Sequence, residues 1–335
     1  EQMEPIHREL AMKILKLGMN SEEVMKRFLV EREALAMMNH PHIARILDAG
    51  TTEDGRPYFV MDLVLGTPIT TYCDEHNLSL ENRLQLFRTV CSAVQHAHQK
   101  GVIHRDLKPS NIVVVDEDKE ASVKVIDFGI AKVINEGVLD QPIATKAGFF
   151  IGTPVYMSPE QISMSSDSLD TRADIYSLGV LLYELIAGVK PYESDTLQRA
   201  ALAEIQRIIC EVYPEKPSVR IRKIKDKATE LAKHRSIDTL TLMRTIRGDL
   251  DWIVMKAIEK DRSRRYQGVG ELATDIERHL QHQPVHAAAP GAIYRFKKFM
   301  RRHRLGTSMV AMLCLVILVG LVTSMIGLAH AKKER

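Results

Sequence analysis

At 335 residues, 45% of them hydrophobic, the chain is long enough for a domain with a sizeable core plus an appendage. A net charge of +3 gives no bulk pull towards a polyanion and nucleic acid is set aside as a partner; the basic residues crowd instead into Arg295–Arg304. Cys73, Cys91, Cys210 and Cys314 form no C-x-x-C pair and one lies in an apolar run, which argues against a disulfide or metal framework and fits a reducing compartment.

The chain opens without Met and without a signal-like apolar run, so it reads as a fragment or processed piece. Leu10–Leu15 predicts a buried strand with one polar residue, Lys13. From Ser21 to Met38 the pattern is helical, with Ser21 as N-cap and Glu22 and Glu23 in the first turn, where they favour the helix dipole. Asn39-His40-Pro41 ends that helix. Strand-like runs follow at Ile43–Leu47 and Tyr58–Val64, separated by the turn-rich Thr51–Pro57.

From Ser79 to Lys100, Leu80, Leu84, Phe87, Cys91 and Val94 recur at four-three spacing, the mark of a long amphipathic helix. It delivers the chain to His104-Arg105-Asp106-Leu107-Lys108-Pro109-Ser110-Asn111. Ile112–Val115 and Val123–Ile126 then predict a hairpin around Asp116–Glu120, and Asp127-Phe128-Gly129 follows it. Helices are predicted at Ala173–Ala187, Gln198–Glu211, Asp249–Glu259 and Gly270–Gln281. A few strands first and helices afterwards predict an α+β fold, not a doubly wound sheet. No internal repeat is visible.

The Asp106 loop and Asp127 hold the chemistry that phosphoryl transfer to a hydroxyl group requires, which is in-line positioning and cancellation of phosphate charge. Asp106 can accept the proton of an attacking hydroxyl. Lys108, two residues on in an extended loop, leaves on the same side and can reach a γ-phosphate. Asn111 and Asp127 offer hard oxygen ligands, which suit Mg2+ carrying a nucleotide such as ATP.

These motifs resemble those of the eukaryotic-type (Hanks-type) serine/threonine protein kinases, in particular bacterial, membrane-anchored, receptor-like ones, from about residue 8 to about residue 283. The resemblance implies a bilobal protein-kinase fold: a kinase domain at 1–283 with an N-lobe at 1–64 and a helical C-lobe at 65–283. It implies Asp106 as catalytic base, Lys13 on the α- and β-phosphates and a carboxylate from the next helix to position Lys13. Glu31 fits that place, because it lies on the inward side with Phe28 while Glu33, two residues on, faces elsewhere. Met61 stands at the gatekeeper position, with backbone groups of Asp62 and Val64 on the adenine edge and Val113 and Ile126 in apolar contact. Lys108 matches the serine/threonine type of loop.

By the same resemblance Arg105 receives a phosphate on the activation segment, and Thr145, the one hydroxyl residue between Phe128 and Gly152, is the predicted phosphosite. Thr153 is expected to hydrogen-bond Asp106 and Lys108. Glu160 is expected to pair with Arg265, and Asp174 to anchor the backbone of the His104–Asp106 loop. One departure stands out. The family's G-x-G-x-x-G loop belongs about twenty residues before Lys13, and only twelve precede it, so the N-lobe sheet is expected to be truncated.

After Gln283 the composition changes. Residues 284–304 read as a basic juxtamembrane linker and 305–331, without Lys, Arg, Asp or Glu, as a transmembrane helix, leaving 332–335 as a tail. Arg295, Lys297, Lys298, Arg301, Arg302 and Arg304 outnumber the cations beyond the run, which puts the kinase domain in the cytoplasm as part of a single-pass protein of the cell membrane. The expected partners are proteins bearing Ser or Thr acceptors, the lipid bilayer, and a second copy for autophosphorylation. A pseudokinase that signals as a scaffold is the alternative, supported by the missing glycine loop; a small-molecule kinase fits less well, since it has no need of a long activation segment ending in Ser158-Pro159-Glu160.

Overall fold

The computed structural model describes residues 9–14, 37–117, 120–128, 154–163, 170–193, 197, 200–288, 291–302, 309, 312 and 315–325. Glu31 and nearly all of the helix predicted from Ser21 lie outside them, as do Thr145 and Thr153.

Strands β1 (Leu10–Ile14), β2 (Ile46–Thr51) and β3 (Pro57–Asp62) form an antiparallel sheet in the order β1-β3-β2. Lys13 stands opposite Phe59, which is fully buried. Alternation along β1 puts Ala11 and Lys13 on one face and Leu10, Met12 and Ile14 on the other, and it is the three apolar side chains that are exposed. The strand is therefore not the buried one its composition suggests: Ala11 packs against the core, while the face carrying Leu10, Met12 and Ile14 stays open.

The strand expected from Ile43 starts at Ile46 instead. Ile43 forms a lone parallel bridge with Val125, where Val125 N donates to His42 O (2.8 Å) and Ala44 N to Val125 O (3.0 Å). That short stretch ties the first sheet to the second. The second sheet comprises β4 (Thr67–Pro68), β5 (Ile112–Glu117) and β6 (Glu120–Val125), again antiparallel. Gly66 enters it where no side chain fits: a Cβ there would lie 2.4 Å from the carbonyl oxygen of Val114.

Helix α1 (Ile69–Glu75) leads into α2 (Leu80–Gln99), which Ser79 caps by accepting from Asn82 N (3.2 Å). Leu80, Leu84, Phe87, Cys91 and Val94 are all buried in one core, so the four-three stripe is the packing face. After the short α3 (Pro159–Ile162), helix α4 (Thr171–Ala187) runs through the middle of the helical lobe with almost every side chain buried. Asp170 caps it, and Gly188 in the left-handed region (φ +71°) ends it.

Around α4 are α5 (Leu202–Glu211), α6 (Pro217–Lys223), α7 (Lys225–Lys233), α8 (Thr239–Ile246), α9 (Asp249–Ala257) and α10 (Val269–Leu280). Helix α9 packs on α4 and α10 on α2, where Gln95 Oε1 accepts from Gly270 N (2.8 Å). Helices α1 and α6 to α8 are absent from the sequence prediction; each falls short of the window of about 11 residues over which a helical repeat is counted.

The stretch after Gln283 is held to the lobe. Asp275, wholly buried, accepts from the backbone N–H groups of His286 (2.6 Å) and Ala287 (2.8 Å), and Val285 is buried. Helix α11 (Ala292–Arg302) then follows. Further on, 315–325 is helical with Leu315, Val316, Ile317, Leu318 and Val319 each more than half exposed. Among the described residues no helix is long and apolar enough to cross a membrane; the expected 305–331 span lies partly outside them.

Candidate active site

Residues 104–111 leave α2 and turn back into β5, and Asp106, Lys108 and Asn111 converge there. Lys108 is extended (φ −156°, ψ 164°), so its side chain leaves on the same side as that of Asp106. Its Nζ lies 2.7 Å from Asp106 Oδ2. Asn111, buried at the end of a 3-10 turn begun by Pro109, donates from Nδ2 to Asp106 Oδ2 (3.0 Å) and to Asp106 O (2.8 Å). The carboxylate of Asp106 is thereby aimed by two donors, while 42% of its side chain stays open to solvent.

Asp127 joins this group through its neighbours. Ile126 N donates to Asn111 O (2.9 Å), and Ile126 O faces His104 Nε2 at 3.0 Å. The rings of His104 and buried Phe128 lie 4.6 Å apart in a tilted arrangement. Burial of the His104 imidazole drives its pKa below the ordinary value, outweighing the nearby carboxylates Asp174, Asp106 and Asp127. Lys13 reaches over from β1, its Nζ 2.9 Å from Asp127 Oδ2. Two separate lobes thus meet at one carboxylate.

Arg105 and Asp127 have φ of +66° and +67°, a conformation that costs a side-chain-bearing residue free energy. At Arg105 the surroundings fix both backbone polar groups. Asp174 Oδ1 accepts from Arg105 N (2.8 Å), and Gln161 Nε2 donates to Arg105 O (2.6 Å). The other oxygen of Asp174 accepts from His104 N (2.8 Å) and faces His98 Nε2 at 2.7 Å. Asp174 is wholly buried, which alone would raise its pKa, yet the His98 hydrogen bond and the other donors bring it below the usual carboxylate range.

Glu160 and Arg265 form a bidentate pair in the interior, at 2.6 and 2.8 Å. Arg265 also donates to the carbonyls of Glu259 (2.7 Å), Arg172 (2.9 Å) and Lys260 (3.1 Å), which leaves none of its three nitrogens idle. Asp62 ends β3, and Val64 lies on the segment that follows it towards the second sheet. Asp62 accepts from Arg45 Nε (3.0 Å) through its carboxylate, and its N–H is taken by Arg45 O (3.0 Å). A cavity of about 390 Å3 behind that segment, lined by Arg45, Asp62, Val64, Val115 and Lys124, contains none of Asp106, Asn111 and Asp127 and is a separate feature.

Two supporting residues, His98 and Gln161, escaped the sequence reading. His98 continues the four-three stripe of α2 one step past Val94, and a histidine in that place was the available signal. Gln161 sits at the third position of α3, where its side chain also accepts from Ser158 N (2.9 Å) as half of a capping box. Nothing in its own neighbourhood pointed to Arg105.

For Mg2+ the donor set fits. Asn111 turns its amide nitrogen to Asp106, which directs Oδ1 the other way as a hard oxygen donor, and Asp127 supplies a carboxylate held by a lysine.

A small sheet and a helical lobe, joined by one segment and closing on two carboxylates, two lysines and an amide, give the two-lobed fold typical of nucleotide phosphotransferases. The sequence matches the protein kinase domain over residues 4–268, and the chain belongs to that family. Serine/threonine-protein kinase pkn3 of Myxococcus xanthus is 42% identical over 194 residues, which cover 57% of this chain and 35% of that protein. PknB of Mycobacterium leprae is 32% identical over 287 residues, 84% of this chain and 40% of that protein. The chain thus spans two fifths or less of the length of these relatives. The crystal structure of the PknI kinase domain of Mycobacterium tuberculosis matches 81% of this chain and 85% of its own with a TM-score of 0.51; at 23% identity this is likeness of fold.

Proposed function

We infer that the chain is the catalytic part of a membrane-anchored serine/threonine protein kinase, which moves the γ-phosphoryl group of ATP to a Ser or Thr hydroxyl. The observation that carries the reading is Asp106 held between Lys108 and Asn111, with Asp127 joined to the same loop through Ile126 and His104.

Asp106 takes the hydroxyl proton as the acceptor oxygen attacks the γ-phosphorus, and the bond to the β-bridging oxygen breaks, leaving ADP. Lys108 neutralises charge beside the base, and Lys13 holds the α- and β-phosphates. Asn111 and Asp127 would hold Mg2+, which would supply positive charge to offset that of the phosphate oxygens. Arg105 serves a phosphate on Thr145, acquired from a second copy of the chain.

Anchoring rests on the uncharged run 305–331, on the exposed apolar side chains of the helical stretch 315–325, and on the basic flank before it, which favours a cytoplasmic kinase domain.

The deciding assay is Mg2+-dependent transfer of labelled phosphate to Ser-, Thr- and Tyr-containing peptides. Transfer to Ser or Thr is expected, with Asp106→Asn slower by about 10²–10⁴-fold, the usual contribution of a positioned base. Absence of transfer by the folded natural chain, or equal rates in the variant, would overturn the reading.

A further inference from the structure

Helix α11 turns two different faces to its surroundings. Towards the lobe, Tyr294 OH donates to Asp249 Oδ1 (2.8 Å) and accepts from Val285 N (3.1 Å), while its ring meets Trp252 edge-on at 5.4 Å. One turn on, Lys298 pairs with Asp249, which also faces His279 Nδ1 at 3.0 Å. These contacts fix the rotation of the helix, and with it the face that points outward.

Ile293, Phe296 and Met300 are spaced three and four apart, so they form a single row along the helix. At 3.6 residues per turn that row lies about 150° round the axis from Tyr294 and Lys298. Its side chains are 85%, 63% and 44% exposed, so the lobe does not cover them. Three large apolar side chains grouped on one face of an 11-residue helix mark a contact surface, where scattered ones would not.

Position in the chain decides what covers that face. Leu305, where the uncharged run 305–331 begins, lies three residues beyond Arg302. Three residues span at most about 11 Å in any conformation, so with that run in a bilayer the end of α11 stays at its surface. The apolar row then favours a helix that lies along the surface over one that stands up from it. We propose that Ile293, Phe296 and Met300 seat α11 in the leaflet facing the kinase domain, at the boundary of headgroups and acyl chains. The helix is thereby held from both sides, by Asp249 of the lobe and by lipid. The catalytic domain rides about one helix diameter, ~10 Å, from the acyl boundary and in one orientation. The proposal rests on the membrane-anchored reading above.

Phe296→Trp tests this in the full chain, reconstituted in phosphatidylcholine nanodiscs. Trp252, the sole tryptophan of the natural chain, lies on the lobe side of α11 and serves as the reference. Lipids brominated near the glycerol end of the acyl chain should quench most of the emission that Phe296→Trp adds, matching a depth of about 5–10 Å. Bromine near the chain end should quench it less. Arg295→Trp, on the far side of the helix, should stay unquenched, as should Trp252 itself. Both variants should phosphorylate a soluble peptide at the natural rate. Absence of quenching in Phe296→Trp, or equal quenching in Arg295→Trp, would overturn the seating. A blue shift of the Phe296→Trp emission that grows with the number of chains per disc and ignores bromine would assign the face to a second copy, which also overturns it. Washing vesicles with alkaline carbonate tests anchoring separately. A retained chain with unquenched Phe296→Trp sinks the seating alone, whereas quenching in a chain that washes out keeps the seating and sinks the anchor.

Discussion

Asp174 shows how one buried side chain can govern a site it does not enter. Its two oxygens receive the N–H groups of His104 and Arg105, and Arg105 is the residue with φ of +66°. A backbone so twisted persists only where its surroundings over-determine it. Asp174→Asn offers one acceptor oxygen and one amide donor where two acceptors are needed, so an N–H group loses its partner and the loop relaxes. A displacement of about 1 Å at the base is enough to cost on the order of 10²-fold in rate. The loss should fall mainly on kcat, since Lys13 and Asp127 are attached to each other and not to Asp174. Steady-state kinetics of the variant with ATP and a Ser peptide test this. A rise in the KM for ATP with kcat intact would mean that Asp174 supports the nucleotide site instead.

Between elements, the Glu160–Arg265 pair joins α3 to the loop between α9 and α10, and Arg265 also bonds the Arg172 carbonyl in the first turn of α4. Removing one partner leaves the other charged and dry, and Arg265→Met should destabilise the fold by about 3–5 kcal/mol. The double variant Glu160→Met with Arg265→Met should cost clearly less than the two single changes added together, because neither charge is then stranded. Denaturant unfolding of the four proteins checks this, and simple additivity would show that the pair is not coupled. Residues of this kind mark the boundary of what was legible in sequence. Asp106, Lys108 and Asn111 lie within six positions of one another, so an extended loop alone brings them together. Helix α2 and the hairpin of β5 and β6 declare themselves by periods long enough to count. The exposed apolar face of β1 could not be read, because exposure depends on which strands and helices lie beside it and not on its own residues. Nor could the docking of the stretch after Gln283, whose basic composition suggests a free linker until Asp275 is seen to receive the backbone of His286 and Ala287, and Asp249 to receive Lys298 of α11.

For the molecule as a whole, the buried ionisable groups predict a stability profile with different slopes on its two sides. His104 and His40 have pKa values lowered chiefly by burial, so the unfolded chain takes up their protons first as pH falls. Stability should therefore start to drop below pH about 6.5, the ordinary histidine value. A second drop belongs to the carboxylates. Burial would raise Asp249, but hydrogen bonds from His279 and Lys298 hold it at about 2, and Asp174 is lowered as well. Their contribution is complete above the unfolded carboxylate range of about pH 4 and is lost as pH falls through the folded values. Lys260 acts on the alkaline side. Burial lowers its pKa to about 8, so between pH 8 and about 10.4 the unfolded chain holds the proton that the folded chain has released. This group makes stability rise with pH across that window, against the general trend towards alkaline unfolding. The difference in melting temperature between Lys260→Met and the natural chain isolates it, since methionine fills the space without titrating. Relative to the variant, the natural chain should gain stability from pH 8 to 10. A difference that stays flat over that interval would show that Lys260 keeps its proton through its contacts with the Ile209 carbonyl and the ring of Tyr192.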